Sequence, residues 1–194
     1  KPVYAFEEAD SKKRMLLGGK GAGLSEMTRL KLPVPPGFTI TTEVCNKYYD
    51  NNGKLPKDVM PAVMKNIAKM EKKTGKKWNS TKNPLLVSVR SGAAISMPGM
   101  MDTILNLGLN EKTVEGFAEQ TKNPRFSWDS YRRFIQLFGK VVFGVNDEKF
   151  DHVLDSAKKK QGVTDDSKLN VESLKKIVSE YKKICEKHTK RKFP

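Results

Sequence analysis

Two short stretches of this chain carry residue types that could handle an anion. The first is Gly18-Gly19-Lys20-Gly21-Ala22-Gly23, a glycine-rich turn ahead of a helical pattern. Glycines let backbone N–H groups approach an anion closely, and a helix N-terminus adds a dipole that favours phosphate. Lys20 contributes a mobile point charge within reach of such a ligand. The string is not a P-loop, because Gly21 follows Lys20 where Ser or Thr is required. It is not a dinucleotide fingerprint either, since no convincing strand and acidic partner flank it. A tight strand-to-helix turn with an exposed lysine explains the same residues, and the motif alone leaves both readings open.

The second stretch is Ser88-Val89-Arg90-Ser91-Gly92-Ala93. An arginine at the end of a strand has a rigid base and a planar fork of donors suited to phosphate. Beyond it runs Ser96-Met97-Pro98-Gly99-Met100-Met101-Asp102-Thr103, where small residues would let backbone amides fold over a charged ligand. The three methionines are soft packing groups and read more simply as core. The alternative for Arg90 is an ion pair with some carboxylate. Arg125, Arg132 and Arg133 lie among Phe126, Trp128, Tyr131 and Phe134, which reads as an amphipathic helix. Phe134, Leu137 and Phe138 would face inward and the arginines outward. His152 and His188 stand alone on polar helical segments and are expected to face solvent.

The elements that must position these groups follow from pattern. Residues 3–6 alternate weakly as an edge strand, and residues 38–41 read as a short strand. Leu24, Met27 and Leu30 recur at helical spacing. Pro33, Pro35 and Pro36 hold residues 31–37 out of any helix. A helix starts near Thr42 and stops at Asn51-Asn52-Gly53, and residues 57–74 form another, closed by Gly75. Residues 85–90 give the strongest strand signal, and residues 103–107 resume one. From residue 111 onward only helices are expected, over 111–120, 127–143, 147–161 and 171–187, with breaks at Asn123-Pro124 and over 162–170. The chain is thus expected to divide into an α/β lobe over 1–110 and a helical lobe over 111–194, an α+β arrangement.

Composition bounds what such a chain can be. The 194 residues suffice for one domain or two small lobes with a real core. No run approaches the ~18 apolar residues of a membrane span, so no membrane association is expected. Cys45 and Cys185 match no metal spacing or redox motif, and two isolated thiols suit a reducing compartment. No signal-peptide pattern is visible, so cytosol is the expected location. The chain begins at Lys1 and not at Met, which leaves room for upstream residues and, with them, organellar import. Thirty-seven Lys and Arg against 22 Asp and Glu give a net charge of +15. The excess is lysine scattered along helical segments with Glu and Asp, the pattern of solvated faces and not of a nucleic-acid site. Attraction for an anionic ligand such as a nucleotide is retained.

In order and spacing, several strings resemble the pyruvate, phosphate dikinase family. They are Leu16-Leu17-Gly18-Gly19-Lys20-Gly21, Pro35-Pro36-Gly37-Phe38-Thr39, Val89-Arg90-Ser91-Gly92-Ala93, the loop over 96–103, Leu105-Asn106-Leu107-Gly108-Leu109-Asn110 and Asp129-Ser130-Tyr131-Arg132-Arg133-Phe134. The resemblance covers nearly the whole chain, and Met-Pro-Gly-Met-Met-Asp-Thr is its most specific part. Phosphoenolpyruvate synthase shares the Gly-Gly-Lys and Val-Arg-Ser features but is less similar around that loop.

The resemblance implies the front portion of an ATP-grasp nucleotide-binding domain, to be followed by a phosphohistidine domain and a pyruvate-binding barrel. It implies ATP and phosphate as ligands, with the β-phosphoryl group passing through a histidine to pyruvate, and a homodimeric whole protein. Lys20 and Arg90 would hold nucleotide phosphates, Arg90 with a catalytic role. Gly99 and Met101 would belong to a loop closing on the γ-phosphate through backbone donors. The phosphohistidine motif is absent, so neither His152 nor His188 inherits that role. Mg²⁺ would accompany ATP, with its protein ligands on the opposing subdomain and none in this chain. The chain alone is therefore expected to lack dikinase activity. Two alternatives remain: a phosphoenolpyruvate synthase fragment, or a non-catalytic nucleotide- or RNA-binding module.

Overall fold

A computed structural model describes residues 1–93 and 102–194; Gly99 and Met101 lie outside the described residues. Of the described residues, 1–76 and 90–93 group into one compact unit, and 77–89 and 102–194 into a second. Within the described residues every strand precedes residue 110 and only helices follow it, an α+β arrangement.

The first unit is built on a short strand pair. Strands β1 (Val3–Ala5) and β2 (Phe38–Ile40) run antiparallel, with Val3 opposite Ile40 and Ala5 opposite Phe38. The period-2 alternation buries Val3 and Ala5 on one face. The proline-rich connector reaches β2 through Gly37, whose added Cβ would stand 2.5 Å from the Phe6 ring. Helices α1 (Arg14–Arg29), α2 (Thr42–Asp50) and α3 (Val59–Thr74) complete the unit. Gly75 closes α3 in the left-handed conformation, as its sequence position requires. Glu8 pairs with Lys1 and Lys69, which hold its carboxyl down to about 2. Glu7 accepts from Lys73 at 2.6 Å, so two lysines of α3 tie it to the end of β1.

Strand β3 (Val87–Arg90), whose residues 87–89 belong to the second unit, pairs with β4 (Thr103–Leu107). The strand signal at Leu85 is used differently, because its N–H donates to the Lys77 carbonyl at 2.8 Å. Helices α4 (Thr113–Thr121), α5 (Pro124–Val141), α6 (Asp147–Gln161) and α7 (Val171–Thr189) enclose the larger core. That core gathers Val114, Tyr131, Ile135, Phe150, Leu174, Ile177 and Tyr181. Phe150 meets Tyr181 edge-on at 4.8 Å between ring centroids. Asn123-Pro124 does break the chain, but as a helix start: Asn123 accepts from the Phe126 N–H at 3.0 Å and Pro124 takes the first turn. Helix α5 therefore begins three residues earlier than the apolar pattern places it.

Arg132 departs from its expected outward position. It is only 5 % exposed and donates to Asp129 through Nε at 3.1 Å and Nη2 at 2.6 Å. Arg133 also bonds Asp129, from one turn along the same helix, while keeping most of its own side chain in solvent. Arg125 donates to the carbonyls of Leu169 at 3.0 Å and Asp166 at 2.6 Å, tying α5 to the turn that precedes α7. Burial works against an ionised Asp129, but Arg132 and then Arg133 outweigh it and hold the carboxyl below its ordinary range. His152 and His188 are exposed.

Two stability predictions follow from this packing. A Cβ at Gly116 would stand 1.8 Å from the Thr81 carbonyl oxygen, so Gly116→Ala should cost the second unit about 2–3 kcal/mol by overpacking. Gly23, inside α1 with nothing within 4 Å, should instead gain about 0.5–1 kcal/mol as alanine. Urea unfolding of both variants measures the contrast. Asp129→Asn should destabilise the second unit by about 3 kcal/mol, because it leaves buried Arg132 with only the longer 3.6 Å ion pair to Asp166. With the folded carboxyl depressed, Asp129's contribution is whole above its unfolded pKa of about 3.9 and is lost as pH falls through the folded value. The Asn variant should therefore show a smaller loss of stability on acidification below about pH 4, read by thermal unfolding across pH.

Candidate functional site

The glycine-rich turn is built by one deliberate interruption of α1. Gly18 adopts φ 71° and ψ 166°, outside the helical region, so the helix stops after Leu17 and resumes at Gly19. An L side chain rarely accepts that φ, which explains glycine at this position. A Cβ on Gly18 would stand 3.4 Å from the Ala93 oxygen and 3.6 Å from the Gly92 carbonyl carbon, so two stretches of backbone lie side by side.

The interruption redistributes hydrogen bonds. In an unbroken helix the Gly19 N–H would bond the Met15 carbonyl. Here it donates to the Ala93 carbonyl at 2.9 Å. The Met15 carbonyl is satisfied by the Thr42 hydroxyl at 2.8 Å, which also lies 3.3 Å from the Leu16 carbonyl. The first residue of α2 thus completes the break in α1. Gly21 seats the resumed helix against β2, where a Cβ would stand 2.7 Å from the Thr39 hydroxyl.

Lys20 reaches from this turn to the same partner segment. Its Nζ donates to the Ser91 carbonyl at 3.0 Å, and no carboxylate answers it among the described residues. Arg90, one residue before Ser91, ends β3 exposed and has no ion pair among the described residues, contrary to the carboxylate-paired alternative. The structure therefore brings the Gly18 turn and Lys20 onto residues 91–93, next to Arg90. Gly99 and Met101 lie outside the described residues.

A cleft of about 720 Å³ opens beside the turn, along the face of α1 that carries Gly19, Ala22 and Gly23. A second cleft, of about 500 Å³, lies in the helical unit around Arg125, Arg132, Arg133 and Lys140. Three of its cations are paired, Arg132 and Arg133 with Asp129 and Lys140 with Asp147 at 2.6 Å, while Arg125 donates to backbone carbonyls. Sequence reasoning missed the buried Asp129–Arg132 pair, although the spacing of Asp129 with residues three and four ahead places all three on one helix face. Among the described residues no group of three or more His, Cys, Asp or Glu side chains gathers that could hold a metal ion. No helix of the described residues is long and apolar enough to cross a membrane.

Comparison with known proteins matches this chain to one family. The family described as "Pyruvate phosphate dikinase, AMP/ATP-binding domain" matches residues 14–55 and 51–192. Pyruvate, phosphate dikinase of Entamoeba histolytica is 53 % identical over 192 residues, 99 % of this chain and 22 % of the relative. The Clostridium symbiosum protein of that name is 50 % identical over 182 residues, 94 % of this chain and 21 % of its own length. That of Giardia intestinalis is 49 % identical over 199 residues, covering 99 % and 22 %. The chain thus spans about one fifth of the length of these relatives. A match from Arg14, the first residue of the interrupted helix, to the end of α7 takes in the whole glycine turn and its partner segment, and the chain belongs to the pyruvate phosphate dikinase, AMP/ATP-binding domain family.

Proposed function

We propose that this chain supplies one wall of the nucleotide site of a pyruvate, phosphate dikinase, with Lys20 and Arg90 holding the phosphates of ATP. The observation that carries this reading is the pair of cations left without carboxylate partners around residues 91–93. Among the described residues Lys20 is bonded only to a neutral carbonyl and Arg90 has no ion pair. A cation without a counter-charge beside a glycine turn is poised for an anion, while Arg132 and Arg133 of the helical unit are already paired with Asp129.

Chemically, phosphoryl transfer asks a protein mainly to position charged oxygens and to stabilise them in the transition state. Lys20 can meet a phosphate as a point charge by exchanging its carbonyl partner for a phosphate oxygen. Arg90 offers two parallel N–H donors from the rigid end of a strand and is the residue we assign a catalytic role. Gly99 and Met101 are proposed to close over the γ-phosphate through backbone N–H groups.

The rest of the reaction belongs to the longer protein. In this proposal the β-phosphoryl group of ATP passes to a histidine outside this chain and the γ-phosphoryl group to inorganic phosphate, leaving AMP and diphosphate. The histidine then passes its phosphoryl group to pyruvate to give phosphoenolpyruvate. Mg²⁺ would arrive with the nucleotide and take protein ligands from a further ATP-grasp subdomain. A homodimeric whole enzyme, working in the cytosol in pyruvate metabolism, completes the proposal.

Calorimetric titration of Mg-ATP into the chain, beside Lys20→Ala and Arg90→Ala, tests the assignment. Each substitution removes a charge-assisted contact and should weaken binding about tenfold. Binding that neither substitution changes would overturn the assignment of both residues.

A further inference from the structure

We infer that Arg14 is a third phosphate-contacting cation of this nucleotide site, gripping the polyphosphate beside Gly19 of the glycine turn. The inference rests on the phosphate reading of that turn and extends it to a residue that no motif singles out.

Arg14 opens the short helical segment that Gly18 terminates. The reversal at Gly18 brings the Arg14 guanidinium back over the point where the helix resumes. From the position a Gly19 Cβ would occupy, Arg14 Nη2 is 3.3 Å away, Arg14 Nε 3.6 Å and the Ala93 oxygen 3.7 Å. The guanidinium and residue 93 therefore converge on Gly19. Only a residue without a side chain leaves that space open between them. Lys20 reaches the same partner segment at Ser91.

Arg14 is also uncommitted. It is exposed and has no ion pair among the described residues. The two carboxylates that line its cleft have other partners. Asp10 accepts from the Lys12 N–H at 3.0 Å, and Glu26 takes Arg29 and Ser11. Next to Arg14, the cleft floor is Gly19 and Gly23, and Gly23 has nothing within 4 Å of its missing Cβ. A planar guanidinium beside a bare helix start, with its local carboxylates engaged, suits two oxygens of one phosphate group. A merely structural arginine would be expected to pair with Asp10 or Glu26, which it does not.

The test is an NMR titration of the ¹⁵N-labelled chain with Mg-ATP, inorganic tripolyphosphate and adenosine. It follows the Arg14 Nε–Hε signal, assigned from its loss in Arg14→Lys, and the Gly19 and Lys20 amides. Arg14 should shift with Mg-ATP and tripolyphosphate, saturating together with Gly19, and should stay still with adenosine. Arg14→Ala should weaken both phosphate ligands about tenfold, and Arg14→Lys should recover part of that loss. If Gly19 and Lys20 shift and saturate while Arg14 does not move and Arg14→Ala binds like the parent, the Arg14 assignment is wrong and the phosphate reading stands. If none of these signals moves with either phosphate ligand, the phosphate reading of the turn falls, and Arg14 with it.

Discussion

The candidate site depends on a single exchange of hydrogen bonds at Gly18. A continuous helix would spend the Gly19 N–H on the Met15 carbonyl and would leave residues 91–93 with no anchor on α1. The left-handed φ at Gly18 frees that donor for Ala93, and Thr42 from the next helix satisfies the carbonyl left behind. Two consequences follow from the same turn. Lys20 is aimed at Ser91, and the backbone of Gly18 lies against residues 92 and 93 with no side chain between. Three separate parts of the sequence are thereby fixed to one another: the start of α1, the start of α2 and the segment after β3.

Charge placement then separates the cleft beside the glycine turn from the one in the helical unit. Around the glycine turn, Arg14, Lys20 and Arg90 have no ion pair among the described residues, while Glu26 is taken by Arg29 and Asp10 accepts from the Lys12 N–H. In the helical unit the arginines surround buried Asp129, and the network ties α5 together and to the turn before α7. A buried ion pair that is fully answered rigidifies its surroundings, and removing one partner is costly. The net charge of +15 therefore says little by itself. What matters is which of the 37 basic side chains lack a counter-charge close to a glycine-lined surface.

Much of this was legible in the sequence because the signals were local. Proline and glycine punctuation placed the connector before β2 and the ends of α2 and α3, and helical periodicity placed α6 and α7. The glycine-rich turn and Arg90 were legible as residue types suited to phosphate. The interruption within α1 was not, because periodicity reports which side chains line up and cannot report a backbone reversal inside a glycine run. The burial of Arg132 was lost to a different error. An arginine on an amphipathic helix reads as solvated unless its i−3 partner is weighed, and Asp129 holds that position. The close approach of Gly116 to Thr81 joins residues 35 apart in sequence and leaves no local trace.

A crystal structure of the chain with a non-hydrolysable ATP analogue and Mg²⁺ bound tests the central claim most directly. The account predicts phosphate oxygens within hydrogen-bond distance of Lys20 Nζ and the Arg90 guanidinium, with the Gly19-to-Ala93 bond intact. An analogue bound with both Lys20 and Arg90 beyond reach of every phosphate oxygen would contradict it.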